Sequence, residues 1–190
     1  MVMDIEYLWL VWAISWFGAG IFSARTIKRP EWRREIFSYV LEASGMVLLL
    51  IVVGNGHDLL WRLWRLPAAL QWAMLGVAVL GFLFTWWARL TLGRLWSGRV
   101  TKKQDHRIVD TGPYGIVRHP IYTGLLVAAF ATAALKGTVP ALAGAALLIV
   151  GWSVKARLEE RFLSEELGPE AYGAYRRRIP MLIPFWPKRG

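Results

Sequence analysis

Five apolar runs, separated by loops rich in arginine and lysine, constrain this chain more than any other feature. They cover roughly Tyr7 to Ala24, Ile36 to Val53, Pro67 to Ala88, Ile121 to Leu135 and Val139 to Val154. A bilayer core of about 30 Å requires about 20 helical residues. The fourth run is short, and the others reach or approach that length. The runs predict an all-α integral membrane protein with about five transmembrane helices. Residues 1–190 read as one membrane domain. Residues 1–98 carry helices one to three and their loops, and residues 99–190 carry helices four and five with a C-terminal tail. Composition agrees: 56% of residues are hydrophobic and 12 are tryptophan, a residue favoured where a membrane meets water.

The formal net charge is +10. A nucleic-acid surface would gather that charge on one soluble face, whereas here it sits between apolar runs, so no nucleic-acid partner is expected. The loop after run one holds five Lys/Arg and the loop after run two holds two; residues 89–118 hold seven, the next turn one and the tail from Lys155 eight. Heavy and light segments alternate, as an odd number of spans requires. The positive-inside rule then places the N-terminus outside and the tail in the cytosol, in an inner or cytoplasmic membrane, with basic loops near anionic lipid. No Lys or Arg precedes the first run, so a retained helix is expected there rather than a cleaved signal peptide. The chain has no cysteine, which excludes thiolate nucleophiles and cysteine metal sites.

Two segments carry the polar chemistry. One is "DHRIVDTGPYGIVRHPIYTG", ahead of run four; the other is "KARLEERFLSEELGPEAYGAYRRRIP", after run five. Only Lys136 to Thr138 separate runs four and five, and so short a connection forces an antiparallel hairpin. The hairpin should bring Arg118 and His119 beside Lys155, Glu159 and Glu160 at the cytosolic boundary. Lys155 and Glu159 share a helix face and could be a simple surface pair. Ionisable groups at membrane depth, however, are costly and tend to be functional. Arg118 and His119 could instead meet lipid phosphates. Pro113, Pro120, Gly112 and Gly115 shape a backbone able to offer N–H and C=O groups to a ligand. Helices four and five are rich in Ala and Gly, which permits close helix approach. Leu59, Leu60, Leu63 and Leu66 suggest an amphipathic helix at the interface, preceded by His57 as a solvated loop residue. Gly168 followed by Pro169 reads as a helix stop and a fresh start. The final "IPMLIPFWP" reads as a segment lying on the membrane surface. The three scattered histidines and the lack of HExxH argue against a metal, and neither soluble nucleotide fingerprint is present.

The pattern GPYxxxRHPxYxG, a helical hairpin, then EE…LGxxYxxYxxxxP resembles the isoprenylcysteine carboxyl methyltransferase family in its compact prokaryotic form, over about Arg99 to Pro180. Phospholipid methyltransferases share parts of this architecture. The resemblance implies S-adenosylmethionine as methyl donor, with S-adenosylhomocysteine as product. It assigns His106, Arg107, Ile108, Val109, Tyr114, Arg118, His119, Pro120, Ile121 and Glu159 to the cofactor, with a weaker match at Arg99. Lys155 stands where the family commonly has an arginine facing a substrate carboxylate, and lysine lacks the bidentate fork. Lys155, Glu160 and His119 are the candidate catalytic groups, with Glu160 or His119 as base if the acceptor must lose a proton. The implied reaction is carboxyl O-methylation of a prenylated or other lipophilic small molecule or lipid. The alternatives are phospholipid or lipid-amine N-methylation and, more remotely, an NADPH-dependent membrane reductase or a non-enzymatic scaffold.

Overall fold

The computed structural model describes residues 2–19, 26–28, 32–50, 61–96, 102–103 and 108–185. His57, Arg99, His106 and Arg107 lie outside the described residues. The helices are α1 (Val2–Gly18), α2 (Trp32–Leu50), α3 (Ala68–Leu92), α4 (Pro120–Lys136), α5 (Val139–Leu167) and α6 (Pro169–Arg178). Two short strands, β1 (Thr26–Lys28) and β2 (Lys102–Lys103), form an antiparallel ribbon.

Among the described residues, α3 and α5 are long and apolar enough to cross a membrane, and α4 is apolar but shorter. At 1.5 Å per residue α5 runs about 43 Å, so roughly its last third extends past a 30 Å core. The surface of the bundle is apolar: Leu80, Leu83 and Leu90 of α3 and Phe130 of α4 are all exposed. Polar groups are turned inward instead, with Thr85, Thr132, Lys136 and Lys155 all buried. A soluble protein would reverse this arrangement.

Each residue of the α4–α5 turn has a structural reason. Lys136 ends α4 and pairs with Glu6 of α1 at 2.8 Å. Gly137 adopts φ 60°, the left-handed cap that a side chain resists, and its N–H returns to the Ala133 carbonyl. Thr138 caps α5 by accepting from the Ala141 N–H. Gly168 and Pro169 separate α5 from α6 in the expected way.

The two longest packing seams join α2 to α5 and α3 to α4. Both depend on missing side chains. A Cβ on Gly144 would lie 2.5 Å from the Leu49 nitrogen, and one on Gly124 would lie 2.5 Å from the Gly81 carbonyl oxygen. The small residues of α4 and α5 therefore serve mainly to admit α3 and α2.

One expectation is corrected in part. Leu59 and Leu60 lie outside the described residues and Trp61 is helical, but residues 62–67, with Leu63 and Leu66, form an extended strap rather than an amphipathic helix. Arg62 forms a bridge with Thr138, and the Leu63 N–H donates to the Gly137 carbonyl at 2.7 Å. The turn offers a free carbonyl to pair with, and Pro67 disfavours helix at Leu66. The tail "IPML" pairs with the start of α4. The Arg118 and His119 N–H groups donate to the Pro180 and Met181 carbonyls at 2.8 and 3.1 Å, and Thr123 Oγ1 donates to the Leu182 carbonyl at 2.7 Å. Amides at the start of α4, which have no partner within the helix, thus hold the backbone of the tail.

Candidate active site

A cavity of about 560 Å³ opens among α1, α2, α4, α5, α6 and the turn at Gly112–Gly115. Its longest wall is one face of α5: Leu148, Trp152, Lys155, Glu159, Leu163 and Leu167 recur at helical spacing of three or four. The charged pair on this face separates two apolar stretches. Trp12, Met46, Leu125 and Leu148 line the deeper part, and Tyr114, Tyr172 and Tyr175 line the part toward α6.

The segment before α4 is held by its own side chains. Gly112 has φ 56°, and the turn that follows buries Pro113 and Tyr114. Arg118 Nε donates to Glu160 Oε1 at 2.6 Å, and its Nη1 donates to the carbonyls of Arg176 (3.0 Å) and Ile179. This guanidinium ties α5, α6 and the tail to the start of α4. Its side chain and that of Glu160 are 8% and 7% exposed, so the pair is shielded from water.

His119 Nε2 lies 3.1 Å from the same Glu160 oxygen, and Nδ1 lies 3.7 Å from Glu159 Oε2. The imidazole stacks on Tyr122, with ring centres 5.5 Å apart. Tyr122 in turn donates its hydroxyl to Glu159 Oε2 at 3.0 Å. Glu159 remains about a third exposed and faces the cavity. Tyr175 donates to the Tyr114 carbonyl at 2.9 Å, closing α6 over the turn. Burial pushes the hydroxyls of Tyr114, Tyr172 and Tyr175 up, so all three stay neutral at physiological pH.

The hairpin thus brings Arg118 and His119 to Glu159 and Glu160. Ile108, Val109, Tyr114, Arg118, His119, Ile121, Lys155 and Glu159 line the cavity, while Pro120 is buried at the start of α4. Glu160 stands behind the wall, taken up by Arg118 and His119, with Arg176 Nε 3.9 Å from its other oxygen. That position suits a positioning group better than a base. Lys155 does not pair with Glu159. Its Nζ lies 3.1 Å from Glu42 Oε2 and 4.5 Å from the centre of the Tyr39 ring.

Glu42, Tyr39 and the tryptophans of α1 were missed by sequence reasoning, which placed the site wholly in the C-terminal half. A signal did exist. Glu42 is the one charged residue in the second apolar run, and an ionisable group at membrane depth is by default a functional candidate.

The residues suit S-adenosylmethionine as a ligand. Glu159 is a carboxylate available to a cationic or hydroxyl-bearing group, aromatic faces surround it, and the volume falls within the range of small-molecule sites.

The sequence pattern of the isoprenylcysteine carboxyl methyltransferase family matches residues 74–165. The protein-S-isoprenylcysteine O-methyltransferase of Schizosaccharomyces pombe is 33% identical over 120 residues, 62% of this chain and 50% of that one. The methanethiol S-methyltransferase 2 of Bradyrhizobium diazoefficiens is 30% identical over 160 residues, 77% of this chain and 58% of that one. The chain thus spans little more than half the length of these relatives. The solved structure of the eukaryotic intramembrane Ras methyltransferase ICMT shares the fold at a TM-score of 0.56 and 24% identity, over 79% of this chain and 53% of that one.

Proposed function

The chain belongs to the isoprenylcysteine carboxyl methyltransferase family, and from that premise we propose that it is a membrane methyltransferase using S-adenosylmethionine on a lipophilic acceptor. One observation carries the reading. A single cavity joins a polar end built from Glu159, His119 and Tyr114 to an apolar end built from Trp12, Met46 and Leu148. A soluble donor and a lipid-soluble acceptor need such a meeting place at a membrane boundary.

When bound, the donor supplies an electrophilic methyl group on a sulfonium. The protein's task is to bind, orient and exclude water. Glu159 holds the donor's cationic or hydroxyl groups, with Ile108, Val109, Tyr114 and Ile121 around it. The residues proposed for the cofactor include His106 and Arg107, next to Ile108 in sequence. Arg118, His119, Pro120 and Glu160 position this wall. Residues 1–98 and 99–190 act as one membrane domain, since α1 and α2 supply the wall opposite α5.

The reading retains five spans, with the N-terminus outside and the polar end of the cavity in the cytosol, where the donor is made available. The carboxyl acceptor implied by the resemblance requires a cation free to meet it, and Lys155, which fills that position, is already engaged by Glu42.

Isothermal titration of the purified protein with S-adenosylmethionine tests the cofactor. Transfer of radiolabelled methyl into a total lipid extract tests the activity. Saturable heat and a labelled lipophilic product are expected. Absence of heat at millimolar donor sinks the reading.

A further inference from the structure

The charged groups of the cavity wall restrict the acceptor. Among the described residues, four charged side chains line it: Glu42, Arg118, Lys155 and Glu159. Arg118 is matched by Glu160 at 2.6 Å, and Lys155 by Glu42 at 3.1 Å. Arg89 stands close by, with its Nη1 buried and without a hydrogen-bond partner among the described residues, but its guanidinium carbon lies 3.5 Å from the Trp96 ring centre and 4.6 Å from that of Trp16, and these rings, not the guanidinium, line the cavity. Glu159 is the lining carboxylate that no Lys or Arg matches among the described residues. That charge suits the cationic donor. No cation among the described lining residues remains for an acceptor carboxylate.

Glu42 adds a second observation. Its Oε2 takes Lys155, but its Oε1 is buried and has no hydrogen-bond partner among the described residues. A buried carboxylate oxygen without a donor is unfavourable, and a proton-bearing ligand would relieve it. Glu42 lies on the cavity wall one turn of α2 before Met46, at the step from the polar to the apolar part. A lipophilic molecule lodged against Met46, Leu125 and Leu148 presents its head group at this level.

Resting on the methyltransferase reading, we infer that the acceptor is uncharged and protic, a lipophilic thiol, and that Glu42 Oε1 takes its proton. The step balances. The S–H proton passes to Glu42, the freed sulfur pair forms the new S–CH3 bond, and the electrons of the broken C–S bond return to the donor's sulfur. A carboxylate acceptor would need no base and would be repelled by Glu42. An amine begins near pKa 10.4 and a thiol near 8.5, so the thiol yields its proton to a carboxylate more readily. Lys155 holds the other oxygen of Glu42 at 3.1 Å and so fixes the direction in which Oε1 points. The other groups facing Glu42 are Tyr39 of α2, Tyr122 of α4, and Glu35, two turns earlier on α2.

The test uses three probes of equal chain length: dodecanethiol, dodecanoic acid and dodecylamine. Each is titrated first into the cofactor-free protein. The thiol should bind at least tenfold more tightly than the acid. Glu42→Gln frees Lys155 and should raise affinity for the acid at least tenfold, a reversal that a merely structural role for Glu42 would not produce. With radiolabelled S-adenosylmethionine, the wild type should methylate the thiol. Glu42→Gln should lose roughly 10²-fold or more at neutral pH and recover as pH rises through the thiol's own pKa. Should Glu42→Gln fail to fold around an unpaired lysine, the pair Glu42→Gln with Lys155→Met removes both charges and should show the same loss. Acid bound or methylated in preference to thiol, a thiol left unmethylated, or thiol transfer unchanged in Glu42→Gln each overturns the inference. Absence of donor binding defeats the methyltransferase reading instead, while the cofactor-free titrations still decide thiol against acid.

Discussion

Arg118 and Glu160, 42 positions apart in sequence, meet at 2.6 Å, and around this contact the start of α4, the end of α5, α6 and the tail are assembled. The guanidinium is used as a clamp. One nitrogen serves the carboxylate while another serves two main-chain carbonyls from the α6 region. Its fixed fork allows this, and a lysine has no second arm.

Removing the clamp should therefore destabilise the fold. Arg118→Ala leaves Glu160 with only His119 nearby and Arg176 at its edge, and breaking a shielded pair in this way costs about 3–5 kcal/mol. Arg118→Lys should recover part of the loss, because it keeps the charge but bridges fewer groups. Chemical unfolding in detergent gives both values. Equal stability of Arg118→Ala and wild type would show that the contact is not a clamp.

Glu159 should behave in the opposite way. It is about a third exposed, and among the described residues it accepts a hydrogen bond from Tyr122. Glu159→Ala should leave the unfolding midpoint of the free protein nearly unchanged while weakening S-adenosylmethionine binding by roughly 10- to 100-fold, the value of one charge-assisted contact. Calorimetric titration reads the affinity. A large fall in stability with intact affinity would reverse the roles of Glu159 and Glu160.

The hairpin half of the site was legible in the sequence because local rules determine it. A three-residue turn, a proline at each helix start and a left-handed glycine leave one arrangement of α4 and α5, and adjacent glutamates on α5 must face different neighbours. Nothing local links Lys155 to Glu42, which are 113 residues apart and meet only because Gly45 and Gly144 let α2 and α5 touch. The strap at 62–67 was misread for a related reason. Leucine spacing is helical there, but the pairing that displaced the helix comes from a carbonyl on a distant turn.

The glycine seams give a prediction with its own control. Gly144→Ala places a methyl group 2.5 Å from the Leu49 nitrogen and 2.6 Å from the Gly45 carbonyl oxygen, both main-chain atoms that cannot step aside alone. Helices α2 and α5 must separate, at a cost of about 1–3 kcal/mol. The shift would widen the Lys155–Glu42 contact. Gly76→Ala meets nothing within 4 Å and should stabilise α3 by up to about 1 kcal/mol. If the two substitutions shift the unfolding midpoint alike, close helix approach is not what Gly144 provides.

Orientation can be tested because the chain has no cysteine, so single cysteines can be placed freely. The ribbon of β1 with β2 joins the first loop to the segment after α3, whereas the bridge of Arg62 with Thr138 joins the second loop to the α4–α5 turn. These contacts define two ends of one bundle, and the heavily basic segments fall at the ribbon end. Basic segments stay in the cytosol because moving them across the membrane is unfavourable. In intact cells, a membrane-impermeant maleimide applied from outside should therefore label Leu63→Cys and spare Lys28→Cys and Glu170→Cys, which react only after permeabilisation. Leu63 and Glu170 are both exposed, so failure to react reports sidedness rather than burial. Labelling of Glu170→Cys but not Leu63→Cys would invert the orientation and place the polar end of the cavity away from the cytosolic donor. Equal labelling of both would break the two-ended arrangement itself.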